Sequence, residues 1–185
     1  MTTTLTTVLR VYDDAKPETP IIDTTNGDQI AAELGHIGVR FERWAADAEL
    51  PQGADQATIL AAYKSSVDRL VNECGYQSMD VIRLEKGTPN TEPMRRKFLD
   101  EHRHSEDEVR FFVEGCGAFY LHVDGKVYQT VCVKGDLISV PSGTKHWFDM
   151  GPDPEFTAIR LFINPEGWVA NFTGDTIAQA FPKLG

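Results

Sequence analysis

Three of the chain's five histidines fall in two short stretches, Glu101-His102-Arg103-His104-Ser105-Glu106-Asp107-Glu108-Val109-Arg110 and Pro141-Ser142-Gly143-Thr144-Lys145-His146. His102, His104, Glu108 and His146 read together as the ligands of one metal ion. Imidazole nitrogens with a carboxylate oxygen suit divalent Fe, Ni, Mn, Cu or Zn and need no thiolate. Side chains two apart on a strand point the same way, so His102 and His104 can grip an ion from one face. Four extended residues from His104 to Glu108 would span roughly 13 Å at ~3.3 Å per residue. Ligands with bonds of about 2 Å cannot bridge that distance, so the chain must bend at the polar triplet Ser105-Glu106-Asp107. Isolated histidines are more often packed or surface residues, which is the reading for His36 and His122. Glu106 reads as solvated charge.

Beyond the bend, residues 108–113 are rich in strand formers and end at Glu114-Gly115, a stop signal. Parity places Arg110 and Phe112 on the metal side, with Val109, Phe111 and Val113 opposite. An arginine buried there needs an anion beside it. Three histidines and one glutamate leave two positions of an octahedral ion for a substrate that chelates through adjacent oxygens. A metal acidifies such an enediol, and Arg110 can stabilise the charge that develops. Phe148 shares parity with His146 and either walls the site or packs in the core, with Trp147 facing away. Arg160 is either a second substrate contact or an ion-paired strand residue. Trp168 either covers the mouth or packs.

Around these residues the chain reads as helical first and β afterwards. A helix is expected over 26–35, with an asparagine cap and a glycine stop. Ile59, Leu60, Tyr63, Val67, Leu70 and Val71 predict one amphipathic helix over about 56–73, closed by Gly75. Pro93 starts a short helix to Leu99 that delivers the chain to His102. Strands are expected at 108–113, 117–123, 127–133, 137–140, 145–149 and 157–163, with a last short helix from Asp175 to Ala180. Many short strands punctuated by glycine turns suggest a barrel or double-sheet jelly roll. The division is a helical part over about 1–100, a β-barrel core over about 101–163 and an extension over 164–185, in one domain.

Composition narrows the function. With 18 Lys+Arg against 28 Asp+Glu in 185 residues, the net charge is −10. That field disfavours nucleic acid and anionic membranes as partners. No apolar run reaches the ~20 residues of a membrane span, and the Thr-rich start lacks a signal-peptide core. Cys74, Cys116 and Cys132 are an odd number without C-x-x-C spacing, so a reducing cytoplasm is the expected setting. Cys116 and Cys132 read as small core residues. A monomer is expected.

The order His102-x-His104-x3-Glu108-x6-Gly115, then Gly135-x5-Pro141-x-Gly143-x2-His146, resembles the two signature motifs of the cupin superfamily. It departs at Arg96, where the family has glycine, and at Met150, where asparagine is common. Further stretches are similar to bacterial acireductone dioxygenases: Gly38-Val-Arg-Phe-Glu-Arg-Trp44, Gly75-Tyr-Gln-Ser-Met-Asp80, His146-Trp-Phe-Asp-Met-Gly151 and Asn164-Pro-Glu-Gly-Trp168. The resemblance implies a mainly β fold with flanking helices, the cupin double-stranded β-helix. It also implies a methionine-salvage dioxygenase that cleaves the acireductone 1,2-dihydroxy-3-keto-5-methylthiopentene with O2, using one Fe(II) or Ni(II). The Fe(II) products would be 4-methylthio-2-oxobutanoate and formate. The Ni(II) products would be 3-methylthiopropanoate, formate and carbon monoxide. The family's metal ligands fall on His102, His104, Glu108 and His146, and its arginine for forming the substrate dianion on Arg110. Acidic positions linked to metal loading and conformational relay fall on Glu101 and Asp107. An isomerase or decarboxylase on the same site, a small-molecule sensor and a structural zinc site are the rival readings. The last fits poorly without thiolates.

Overall fold

In the computed structural model, which describes residues 5–185, the chain runs β1 (Val8–Asp13), β2 (Ile22–Thr24), α1 (Gly27–His36), β3 (Arg40–Arg43), α2 (Gln56–Ala62), α3 (Lys64–Cys74) and β4 (Ser78–Leu84). It continues through α4 (Glu92–Leu99), β5 (His102–Arg103), β6 (Glu108–Val123), β7 (Lys126–Val133), β8 (Asp136–Val140) and β9 (Lys145–Asp149). β10 (Phe156–Phe162), β11 (Asn171–Phe172) and a 3-10 turn (Ile177–Ala180) complete it. One sheet has the order β11-β5-β9-β6-β7-β1-β2, and the other places β10 and β4 on one side of β6 and β8 and β3 on the other. Each of these pairings is antiparallel. This is the mainly β, double-sheet architecture with flanking helices that the family resemblance implies.

The two sheets share β6. Its residues 108–111 pair with β8, and its residues 116–123 pair with β7. Gly115 lies between, at φ +66°, where a Cβ would sit 1.8 Å from the Glu155 carbonyl oxygen. Only glycine fits that crossing. The register against β10 shifts between Thr157 and Ala158, a bulge that leaves one residue of β6 extra. The inward parity therefore changes. Phe112 points into the barrel before the bulge and Phe119 and Leu121 after it, all three in one buried cluster with Ile138, Phe148 and Phe156. Val109, Phe111 and Val113 face outward, under Ile59, Tyr63, Val67 and Leu70 of the helical layer. Tyr120 and Trp147 stack on the far face of the other sheet at 5.2 Å.

Several expectations are corrected here. Glu114-Gly115 does not stop the strand, because β6 bends through it as one element. The helix expected over 56–73 is two helices, broken at Tyr63, whose φ −110° and ψ 25° cap one and start the next. α1 runs past Gly35 to His36, and the left-handed glycine lies further on at Gly38. The segment 1–100 is only partly helical, since its described residues also supply β1, β2, β3 and β4. The Asp175–Ala180 helix is reduced to a single 3-10 turn. Asn26 caps α1 by accepting from the Gln29 N–H, and Gly75 closes α3 at φ 72°, both as predicted.

Candidate metal centre and cavity

Strand pairing brings the two motifs together. His102 on β5 sits opposite His146 on β9, and the His104 carbonyl accepts from Gly143 N–H at 2.9 Å. Asp107 Oδ1 accepts from Ser142 N–H at 2.8 Å, tying the bend after His104 to the turn before His146. The bend itself falls at Ser105 and Glu106, and Glu108 opens β6. As a result the ligand atoms of His102, His104 and His146 all lie within 4.8 Å of one another, in buried surroundings. Glu108 Oε2 is 3.2 Å from His104 Nε2 and 3.5 Å from His146 Nε2.

The outer hydrogen bonds decide which nitrogens face inward. Nδ1 of His102, His104 and His146 each meets a backbone carbonyl, of Asp100 (2.7 Å), Val169 (2.9 Å) and Thr144 (2.8 Å) respectively. A carbonyl only accepts, so each Nδ1 carries its proton and each Nε2 presents a lone pair. Those lone pairs face one another and the Glu108 carboxylate. His146 Nε2 and Glu108 Oε2 are buried with no hydrogen-bond partner among the described residues. Buried polar atoms are seldom left unpaired, and acceptors converging on one point are reconciled by a cation. The residues fit a divalent metal.

Electrostatics point the same way. Burial, reinforced by neighbouring His146, pushes His102 down to about 4, which keeps it neutral and available as a ligand. Burial alone would raise Glu108, but the Arg110 guanidinium together with the neighbouring His104 and His146 outweighs it and holds the carboxyl well below its usual range. Arg110 Nε donates to Glu108 Oε1 at 2.6 Å, which leaves Oε2 for the centre of the cluster. Burial lowers Arg110 itself, opposed by Glu108. Over this cluster opens a cavity of about 360 Å³. Its lining includes His102, His104, Arg110 and Arg160, with Phe98 and Lys97 from α4 and Trp168, Val169, Ala170 and Phe172 from the C-terminal segment. α4 is held in place by Arg95, which donates to both oxygens of buried Asp149 on β9 at 2.8 and 3.2 Å.

Residues 8–170 match the model of the ARD/ARD' family. The acireductone dioxygenase of Stenotrophomonas maltophilia (strain R551-3) is 58% identical over 175 residues, 95% of each chain. The chain belongs to the acireductone dioxygenase family. The acireductone dioxygenase of Parvibaculum lavamentivorans is 58% identical over 178 residues, covering 96% of this chain and 97% of its own. Among solved structures, the acireductone dioxygenase from Bacillus anthracis, with a cadmium ion in its active center, superposes with a TM-score of 0.77 at 31% identity. That match covers 91% of this chain and 99% of the other. The chain is accordingly an enzyme, and a metal-binding cluster of three histidines is present in it.

Within this family member the remaining candidates fall in different places. Arg160 lines the cavity but is held by Asp80 through Nε at 2.8 Å and a second nitrogen at 2.5 Å. Arg160 and Arg110 are direct cross-strand partners. Phe148 is buried in the barrel, 5.0 Å from the Phe119 ring and 4.5 Å beneath the Arg110 guanidinium carbon, so it supports the arginine from below. Asp107 sits beside the cluster rather than in the cavity. The Glu101 carboxylate turns away from the cavity toward His122, which is neither a lone core residue nor a free surface one. Trp168 lines the cavity while half exposed. The sequence reading missed Lys97, Phe98 and Phe172 as lining residues, and the Val169 carbonyl as the partner of His104. Phe98 follows from its place in the last turn of the helix that ends at Leu99 and delivers the chain to His102. Val169 acts through its backbone, for which side-chain patterns hold no signal.

Among the described residues, no helix is long and apolar enough to cross a membrane.

Proposed function

We propose that this chain cleaves the acireductone 1,2-dihydroxy-3-keto-5-methylthiopentene with O2, as a step of methionine salvage. We assign one Fe(II) or Ni(II) to His102, His104, Glu108 and His146. The observation that carries the proposal is the convergence of three imidazole lone pairs and the unpartnered Glu108 Oε2 at the base of a cavity flanked by Arg110. The metal, when bound, supplies a Lewis acid that acidifies a chelating enediol and holds its oxygens.

The chain's own residues do the rest. Arg110 is buried, lines the cavity and keeps Nη1 without a partner among the described residues. That donor is available to a substrate oxygen, and it strengthens as the second negative charge forms. Glu108 holds the guanidinium in place through Nε, while Phe148 and Phe119 close it in from below at 4.5 and 4.9 Å. Arg160, already neutralised by Asp80, adds a positive edge without a second uncompensated charge. Phe98, Trp168 and Phe172 offer apolar surface to a methylthio tail and limit water around the reacting carbons. We assign Asp107 to holding the two ligand motifs in register, and Glu101 to supporting the strand that carries His102.

Apoprotein reconstituted separately with Fe(II) and Ni(II) tests the proposal. Both forms should consume O2 with acireductone and release formate, with carbon monoxide only from the Ni(II) form. His146→Ala should take up far less of either metal. If neither form consumes O2 the dioxygenase proposal fails, and if both yield the same products the metal-dependent outcome fails alone.

A further inference from the structure

A second cluster lies behind β5, on the side away from the cavity, and takes no part in the chemistry above. His122, on β6, faces a carboxylate at each ring nitrogen: Glu101 Oε2 lies 2.7 Å from Nδ1 and Asp14 Oδ2 lies 3.1 Å from Nε2. Carboxylate oxygens accept, so the pairing uses an N–H on both nitrogens. The Glu101 side chain is fully buried. Its other oxygen accepts from the Thr173 hydroxyl at 2.8 Å, and its backbone carbonyl accepts from Thr173 N–H at 3.1 Å. A carboxylate taken out of water is tolerated only when its oxygens are met in this way.

The position of Glu101 gives the cluster its importance. His102 rides on a strand of two residues, which pairs once with β9 and twice with β11. So short a ladder holds its backbone weakly against thermal motion. Glu101 immediately precedes it and projects to the opposite face. The carbonyl that orients the His102 ring belongs to Asp100, one residue further back. Residues 100–102 thus need an anchor besides the ladder, and His122 supplies one from the strand shared by both sheets.

We infer that His122 is a positioning residue for the metal centre: with Asp14 behind it, it locks Glu101 and so holds the Asp100–His102 backbone that aims the His102 imidazole. This rests on the metal site proposed above. His122 touches neither the cavity nor the ion, so its effect is on how tightly the ion is held. Supporting groups that orient metal ligands are commonly worth about 10–100-fold in metal affinity.

The test is the rate at which holoprotein surrenders its metal to a chromogenic chelator. His122→Phe keeps an aromatic ring of similar bulk and loses both hydrogen bonds, so release should quicken by about tenfold or more. His122→Gln, whose amide can still donate to Glu101, should recover part of the unmutated rate. Asp14→Ala should quicken release by less, since it frees only the outer nitrogen. A His122→Phe protein that melts at lower temperature but releases metal at the unmutated rate would show a structural role only and overturn the inference. If His122→Phe does not fold, His122→Gln and Asp14→Ala carry the test, and unchanged release in both overturns it. Metal content of the unmutated chain separates the two levels. Without one bound ion the metal-site proposal falls, and the inference with it. With one ion bound and unaltered release in the variants, the inference falls alone.

Discussion

Replacing Arg110 by alanine should affect the metal-free protein more than the metal-loaded one. Arg110 and Glu108 form a buried ion pair at 2.6 Å, with side chains 4% and 2% exposed. Removing one partner of such a pair leaves an uncompensated buried charge and commonly costs about 3–5 kcal/mol. At about 2–4 °C per kcal/mol for a chain of this size, the apoprotein should melt about 6–20 °C lower. In the loaded protein a divalent ion on Glu108 replaces the lost positive charge. What remains is the loss of packing and of the cation–π contacts with Phe119 and Phe148, the latter worth about 0.5–2 kcal/mol. The difference, on the order of 2 kcal/mol, must appear as tighter metal binding, roughly 30-fold. The variant should thus keep its metal while losing on the order of 10²–10³ in turnover, because the contact matters where the second negative charge forms. Parallel thermal melts of apo and loaded protein, with a chelator competition, measure both quantities. Equal destabilisation of the two forms, or weaker metal binding, would mean that Glu108 does not meet the ion, and near-normal turnover would make Arg110 a structural residue only.

Two further outcomes follow from the fold. Gly115→Ala places a Cβ 1.8 Å from the Glu155 carbonyl oxygen at φ +66°, so β6 must shift where the two sheets meet. It should lower stability by about 3 kcal/mol or more in denaturant unfolding, and a loss under about 1 kcal/mol would show that the crossing relaxes easily. Cys74 is exposed, whereas burial holds the Cys132 thiol well above its usual range and that of Cys116 moderately above. A thiol reagent at pH 8 should therefore modify Cys74 promptly and Cys132 only after unfolding, as read by mass spectrometry, since the thiolate is the reactive form. Prompt labelling of Cys132 in the native protein would contradict the packed barrel.

Much of the fold was legible because its signals are local. Glycine turns and runs of β-branched and aromatic residues placed β7, β8, β9 and β10 within a residue or so of their observed limits. β1, β3 and β4 went unread because each completes its pairing with a strand at least 70 residues away. The break at Tyr63 was hidden because apolar spacing continues across it on both helices. Gly115 was read as a stop, since a glycine that ends a strand and one that bends it leave the same mark in sequence.

The residue types and spacing of His102, His104, Glu108 and His146 determined by themselves that these side chains suit a metal. Chain geometry alone required the bend between His104 and Glu108. The tertiary structure decided what spacing cannot carry: which ring nitrogens face inward, because that depends on the carbonyls of Asp100, Thr144 and Val169. It decided that Arg160 is pinned by Asp80, that Phe148 lies beneath Arg110 rather than in the cavity, and that His122 reaches Glu101 from another strand. Periodicity tells a side chain which face to take, but its partner is chosen by whichever strand the sheet brings alongside.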